Sequence, residues 1–539
     1  MKNHKSILDY LEHTAALYPD APAYCSENEQ ITWREVRQSA RQIGACLLHT
    51  RTAHPFVAIF MEKAPHTVAA MLGSVYAGGC YTVLNTALWE TNGTKLAELL
   101  SFLEPDVLLY DTAFAKQAEQ LLQENASLLQ TVFPLYLDTS RTDSAFTISG
   151  ISDDCLASAE HTLLTLRATA SPEDTLCLTF TSSSSGKPKC VETSHLAVIR
   201  YIDALSDILQ ATEATVFGNQ APFCFDACMK ELFVSMKCGG SVWLLPPELF
   251  SRPEELIQYL NQHQINTICW VSSAYSLIAA TDAFAEIRPE SLRTAAFGSE
   301  VLPPSVLAYW QTALPDVCFF NLYGPTEATG MSCYYPVPKN FTNRLPSTDP
   351  IPIGKPFFGV EAYLLDEDGK PVADGEQGEL YLKSNRLAKG YYRQEDLTRQ
   401  VFFPLSAPPS TTSFAASSYQ SYRTGDLAKR LPSGDLVFLG RKDSQVKRMG
   451  YRIDLAELER LAAACPQVKS CCCVQKADGR IVLYILGKNV GASSSLSARV
   501  SALLRQSLPS YALPNRIILR DSLPSLPNGK IDRRRLREE

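Results

Sequence analysis

Between about residues 30 and 110 the chain alternates strand-like and helix-like stretches: ITWREV, a helix through Leu48, PFVAIFM, a helix through Met71 to Tyr76, then VLLYD. Strands separated by helices must be joined by crossovers, which predicts an α/β architecture with a largely parallel sheet. The stretch 124–175 is less regular and reads as a surface excursion. Beyond it come strand-like SVWLL, TICWV and TAAF, with a helix near 253–263. From about residue 351 the texture changes to short β segments with turn signals (AYLLDEDGKPV, GELYLKS, DLVFLGR), which predicts a β subdomain. Residues 405–421, LSAPPSTTSFAASSYQS, are low-complexity and are expected to form a mobile loop. After Asp443 a helix at 455–464, strands at 467–475 and 480–486 and a helix at 495–507 predict a small α+β domain. The expected domains are therefore 1–442 and 443–539.

At 539 residues the chain is too long for one ordinary core, and the predicted division agrees with that. A net charge of −7 supplies no excess of cations for nucleic acid. The N-terminal stretch has no apolar signal core, and no apolar run reaches transmembrane length. Sixteen cysteines without an export signal are expected to be reduced thiols, which points to the cytoplasm and to no membrane partner. Cys471, Cys472 and Cys473 are consecutive in a strand-like segment and read as strand cysteines rather than zinc ligands.

Residues 178–192, LTFTSSSSGKPKCVE, place a small-polar loop with two lysines after a β-like run. Backbone N–H groups and short hydroxyls can wrap phosphate oxygens while ammonium groups neutralise their charge. The loop is not a Walker A, because GxxxxGK[ST] is absent. A Ser-rich surface linker is the plain alternative.

Further motifs decide between them: NLYGPTEAT from Asn321, SYRTGDL from Ser421, GRKDSQVKRMGYRIDLAELE from Gly440 and LPNGKIDRRRL from Leu526. In this order the set resembles the adenylate-forming (AMP-binding) superfamily, and within it the stand-alone amino-acid adenylation enzymes of the D-alanyl carrier protein ligase and peptide-synthetase kind. The resemblance spans nearly the whole chain. It implies a large N-terminal domain of parallel α/β sheets plus a β subdomain, followed by a small mobile C-terminal domain. It also implies ATP and Mg2+ as cofactors, an amino-acid substrate and a phosphopantetheinylated carrier protein.

Carried over residue by residue, the resemblance assigns phosphate binding to Thr181, Ser182, Ser184, Ser185, Gly186, Lys187 and Lys189, with Thr326 on a phosphate oxygen. Tyr323 would stack on adenine, and the Asn321 side chain or nearby backbone would read its edge, with Ser299, Leu322, Gly324, Pro325 and Phe438 completing the nucleotide site. Asp426 and Arg441 would hold the ribose. Glu327 resembles the magnesium-associated carboxylate, with Thr181 beside the same ion. Lys530, in NGKID, resembles the lysine that bridges the substrate carboxylate and the α-phosphate, and its plain alternative is a surface lysine. The resemblance places a hinge at Asp443 and a loop for the thioester step at Gly450; Gly440, Gln445 and Lys447 match as well, and Asp454 stands where the family usually has Glu.

On the substrate side PFCFDACMKELF resembles the amino-acid-activating version, in which Asp226 binds the ammonium. The implied pocket draws on Ala227, Lys230, Trp270, Ala296, Gly298, Leu322, Gly330 and Met331. A buried Lys230 needs an anion, either a carboxylate on the substrate or Asp226 itself at i,i+4 if 226–233 is helical. Ser183 and Cys190 replace the outer glycines of the usual phosphate loop, and AGGCYTVLN replaces GGxYxPLD, so slow adenylation or a nucleotide-binding homologue without catalysis is the non-enzyme alternative. The chain ends at Glu539, soon after NGKID, and the expected acceptor is a carrier in trans; coenzyme A, as in acyl-CoA synthetases, is the alternative.

Overall fold

The computed structural model describes residues 4–50, 54–91, 94–125, 131–139, 147–148, 153–181, 189–339, 341, 350–404, 420–476, 478–488, 494–524 and 531–539. Packing divides the chain into two compact units. The first comprises Met1–Asn85, Leu100–Phe180 and Cys190–Gly440; the second is Arg441–Glu539 with two short stretches, Thr86–Leu99 and Thr181–Lys189.

The first unit is built on parallel sheets, as the alternation predicts. Strand Phe56–Phe60 lies parallel to Cys80–Val83 on one side and Val107–Asp111 on the other, and the latter continues parallel to Phe133–Asp138. FVAIF and VLLYD are buried at every position, the pattern of strands covered on both faces. A second sheet runs, in spatial order, Lys355–Pro356, Cys333–Val337, Cys318–Tyr323, Thr294–Gly298, Thr267–Val271, Val216–Asn219, Ser241–Leu244, Pro22–Cys25 and Gln30–Thr32. Its central pairs are parallel, and Cys333–Val337 turns back antiparallel on Cys318–Tyr323.

Two local expectations change. ITWREV is not one strand: the strand stops at Thr32 and a helix, Trp33–Leu48, begins at once. The reason is a capping box, in which the Thr32 hydroxyl accepts from the Glu35 amide at 3.3 Å while the Glu35 carboxylate accepts from the Thr32 amide at 2.8 Å. The stretch 124–175 is not an excursion either. It contains the strand Phe133–Asp138 and the helix Asp153–Thr169, whose Ala159 and Leu163 are buried one turn apart in the main core. The helix Trp33–Leu48 packs on Pro65–Tyr76 through Gly44 and Gly73. A Cβ on Gly44 would come within 2.8 Å of Tyr76, and one on Gly73 within 2.7 Å of Ile43, so any side chain would push the helices apart.

The predicted β subdomain is antiparallel, with Val360–Leu365, Gln377–Ser384, Gln420–Arg430 and Leu436–Arg441 in one sheet. The low-complexity run at 405–421 lies, up to residue 419, outside the described residues. In the second unit, helices Leu455–Ala463 and Ser494–Ser507 flank a sheet of Val468–Gln475, Ile481–Gly487 and Arg516–Arg520. Cys471 and Cys473 belong to one face of that sheet and Cys472 to the other. Fifteen of the sixteen cysteines are free thiols, and of these Cys318 alone is exposed. No described helix is long and apolar enough to cross a membrane.

Candidate active site

NLYGPTEAT folds as the end of strand Cys318–Tyr323 followed by a one-turn 3-10 helix, Thr326–Ala328. The turn is closed by Ala328 and Thr329 amides donating to the Pro325 and Thr326 carbonyls, at 3.0 Å each. Gly324 is obligatory, since a Cβ there would lie 2.0 Å from the Gly330 carbonyl oxygen. Thr329 and Gly330 are left-handed, at φ +56° and +73°, and Ser299 at the end of strand Thr294–Gly298 is left-handed at +65°. Left-handed Ser and Thr carry a steric cost that the surrounding structure must hold, a pattern concentrated at functional sites.

This turn directs Glu327 inward, where it is 0% exposed. The Tyr391 hydroxyl donates to its Oε1 at 2.7 Å, and its carbonyl accepts from the Ala388 amide at 3.0 Å. The segment around Tyr391 escaped the sequence reading, and its KGYY motif was the available signal. Tyr323 donates its hydroxyl to Asp426 Oδ2. Asp426 is itself held by its amide donating to Thr424 Oγ1 at 2.9 Å, and the Phe438 ring lies 6.3 Å from that of Tyr323. Three residues assigned to adenine and ribose, Tyr323, Asp426 and Phe438, are thus brought together from strands far apart in sequence. The Asn321 amino group donates to the Pro352 carbonyl at 2.8 Å, which leaves backbone as the better reader of an adenine edge.

Thr181 closes strand Thr175–Thr181, and its hydroxyl is buried without a partner among the described residues. Lys189 opens strand Lys189–Ser194. Ser182, Ser184, Ser185, Gly186, Lys187, the substituted Ser183 and the proposed catalytic Lys530 lie outside the described residues. In the second unit Arg441 grips Asp443 with two bonds of 2.7 Å, which together with the Gln445 amide hold that carboxyl below its usual range despite burial. Gly450 follows Met449 with both left-handed, at φ +80° and +53°.

On the substrate side Asp226–Cys228 is a 3-10 turn and the helix runs Met229–Cys238. Lys230 is 3% exposed. Among the described residues it forms no ion pair or hydrogen bond, so the internal Asp226–Lys230 pair is not made. The 3-10 turn is the cause, since it takes Asp226 out of helical phase with Lys230. The neighbouring Glu231 carboxyl is pushed up to about 7 by burial, against which the Lys230 charge is the main opposing influence. Asn219 Nδ2 donates to Glu231 at 3.2 Å. Lys63, pulled down to about 8 by burial, donates to the Asn219 and Gln220 carbonyls at 2.9 and 3.0 Å.

Ala296, Leu322 and Met331 belong to the core that also holds Cys228 and Met229, and Gly298 shares the face of Ala296 on its strand. Trp270 does not join them. It is 1% exposed in the second core, with its indole N–H donating to the Gly218 carbonyl at 2.8 Å and Phe250 edge-on at 5.2 Å. Successive residues of a strand face opposite ways, and it is Cys269 that lies on the Ala296 side, where it feels the Glu231 and Lys230 charges. Trp270 thus packs on the face away from Ala296, and Cys269 on the same face as Ala296.

A family model described as AMP-binding enzyme matches residues 11–392, and one described as AMP-binding enzyme C-terminal domain matches 457–530. The chain belongs to the AMP-binding enzyme family. This AMP-binding enzyme is 31% identical over 527 residues to one of the linear gramicidin synthase subunits of Brevibacillus parabrevis, covering 96% of the chain but only 9% of that protein. It is 26% identical to the D-alanine–D-alanyl carrier protein ligase of Bacillus licheniformis, with 99% of each covered. Among solved structures the Vibrio cholerae adenylation domain AlmE, in complex with glycyl-adenosine-5'-phosphate, superimposes with a TM-score of 0.79 at 19% identity, covering 100% of this chain and 99% of that one. The fold is the adenylate-forming fold with a C-terminal subdomain, and the protein is an adenylate-forming ligase.

Proposed function

We propose that this AMP-binding enzyme activates an amino acid with ATP and passes it to the phosphopantetheine thiol of a carrier protein in trans, the two-step reaction that the name of its D-alanyl carrier protein ligase relative suggests. In the first step a substrate carboxylate oxygen attacks the α-phosphorus and the bond to pyrophosphate breaks. In the second the thiol sulfur attacks the acyl carbon, the bond to AMP breaks and the thiol proton leaves to solvent. Asp226 carries the amino-acid reading, because a carboxylate on a short turn, next to Ala227 and just before Cys228 and Met229 in the core that holds Ala296, can pair with an α-ammonium.

The remaining roles follow from chemistry. Tyr323 and Phe438 offer aromatic surface to adenine, and Asp426 offers two acceptor oxygens to ribose, with Arg441 assisting. The phosphate loop, Thr326 and Lys189 would meet the triphosphate. Glu327 gives a hard, buried oxygen and Thr181 a buried hydroxyl without a partner among the described residues, donors that suit Mg2+. That ion, when bound with ATP, supplies neutralisation of phosphate charge. Lys530 would bridge the two reacting anions, where a cation is worth several kcal/mol in the transition state. A lid domain of 443–539, turning at Asp443, would withdraw Lys530 and bring the Gly450 loop forward for the thiol.

The test is ATP–pyrophosphate exchange over L- and D-amino acids, followed by loading of a phosphopantetheinylated carrier. Exchange with at least one amino acid and transfer to carrier are expected. Efficient turnover of a fatty acid with free coenzyme A, and none with amino acids, would refute the reading.

A further inference from the structure

Arg386, in the segment SNRLAKGY, is 1% exposed, and among the described residues no carboxylate answers its charge. Its Nη2 donates to the Met331 carbonyl at 2.8 Å, but Nε and Nη1 are buried without a partner there. The guanidinium lies over two rings, 4.9 Å from the centre of Phe357 and 5.7 Å from that of Tyr201. Burial pulls it down to about 10, and the groups that oppose this are Tyr201 and Cys333, both neutral at ordinary pH.

Other polar atoms on the segments that touch Arg386 are also unmet. Thr329 Oγ1 and Ser332 Oγ are buried and unpartnered among the described residues, and the Tyr201 hydroxyl (residue 0% exposed), which the Met331 backbone amide approaches, has no acceptor for its own proton there. Thr329 and Ser332 bracket Gly330 and Met331, two residues assigned to the substrate pocket. Tyr201 lies against Gly330 so closely that a Cβ there would come within 2.6 Å of its ring. Tyr201 also reaches toward the ammonium site, since after burial the Asp226 carboxylate is the strongest influence on its phenol. Folded proteins almost always satisfy buried donors, and a buried cation with no counter-charge and two unmet N–H groups is costly enough to be rare. Four side chains with unmet polar atoms, Arg386 and Tyr201 against Met331 and Gly330 and Thr329 and Ser332 beside them in the chain, therefore point to a ligand. It must be rich in acceptors and bear negative charge, because a guanidinium and a phenol can only be answered together by a group with several lone pairs.

We propose that Arg386, with Tyr201, binds a carboxylate on the side chain of the amino-acid substrate, while Asp226 takes its α-ammonium. The substrate class is then the dicarboxylic amino acids. This inference rests on the amino-acid reading of the site and narrows it. Arg386 is a specificity residue here, and Lys230, partly answered by Glu231, adds positive potential on the neighbouring helix.

The experiment is pyrophosphate exchange with L- and D-aspartate, L- and D-glutamate, asparagine, glutamine, L- and D-alanine, on wild type, Arg386→Met, Arg386→Lys and Tyr201→Phe, with calorimetric binding of the same amino acids alone. Wild type should favour a dicarboxylic acid over its own amide at least tenfold in kcat/KM. Arg386→Met should raise KM for that acid on the order of a hundredfold, with a smaller change in kcat, and remove the preference over the amide, while Arg386→Lys restores part of it. Because wild type alone tests the preference, the inference stays falsifiable even if Arg386→Met does not fold. A wild type that activates alanine or another neutral amino acid at least as well as every dicarboxylic acid overturns it. If exchange is absent throughout but calorimetry detects a dicarboxylic acid whose binding Arg386→Met abolishes, the subsite stands and the adenylation reading falls. If neither exchange nor binding favours an acid, the subsite falls too.

Discussion

Tyr391 places one hydrogen bond on Glu327, and that bond decides how firmly a buried carboxylate is aimed. Tyr391→Phe leaves Glu327 in place but frees that oxygen, so KM for the magnesium–ATP complex should rise by roughly tenfold, with the fold unchanged by circular dichroism. Lys530→Ala is the sharper change: in the proposed mechanism only adenylation places growing negative charge beside that ammonium, so adenylate formation should fall by at least about a hundredfold while thioester formation from supplied aminoacyl-adenylate is spared. Equal loss in both steps would refute the division of labour. At this scale the sequence was legible where a motif fixes its own geometry. NLYGPTEAT is such a case, because Gly324 and the tight turn leave Glu327 one direction. It was opaque at Trp270, since TICWV is buried at every position and carries no polar mark to say which residues share the Ala296 face. Arg386 was hidden for the opposite reason, because an arginine between Asn385 and Leu387 reads as surface until its burial is seen.

Among the elements, the helix Pro65–Tyr76 carries a charge-dependent anchor in its first turn. His66 lies between Glu29, at 2.9 Å, and Asp111, at 3.5 Å, and these two carboxylates, by hydrogen bonding and by charge, raise it to about 9 against the opposing effect of burial. Its folded-state value lies above the ordinary one of 6.5. The stabilisation is therefore complete below about pH 6.5 and is lost as pH rises through 9, with an upper size of about 3 kcal/mol. Urea unfolding from pH 6 to 9.5 should show this decline, and His66→Gln should flatten it; an unchanged slope in the variant would exclude His66 as the source. Elements were read best where strands are apolar throughout, as at FVAIF and VLLYD. The helix Asp153–Thr169 was missed because in DDCLASAEHTLLTLRAT polar residues interrupt the apolar stripe, and its place is set by packing rather than by local pattern.

Across the whole molecule, the proposed two-step reaction turns on a hinge at Asp443. Asp443→Pro would lock the backbone at the expected hinge and remove the Arg441 grip, so the thiol step should fall more than the adenylation step in single-turnover assays. Charge steering of an acidic carrier is a narrower idea than the run Lys530, Arg533, Arg534, Arg535 and Arg537 suggests. Arg533 is already engaged with both oxygens of Glu459, at 2.7 and 2.8 Å, and with the Cys473 carbonyl. Carrier loading should weaken as salt is raised, and Arg533→Ala should lower the melting temperature of the second unit without changing that salt dependence.

The buried thiols make this molecule its own reporter. A thiol alkylates as thiolate and only when reagent can reach it, and burial here both shields most of the described cysteines and, at the fully enclosed Cys177, Cys269 and Cys333, pushes their ionisation up to about 12 or beyond. Cys318, exposed on its strand, should modify at once. Each later label then counts an opening event in the sheet that holds it, so mass spectrometry of timed alkylation would rank the strands by how often they part, with no probe added to the chain.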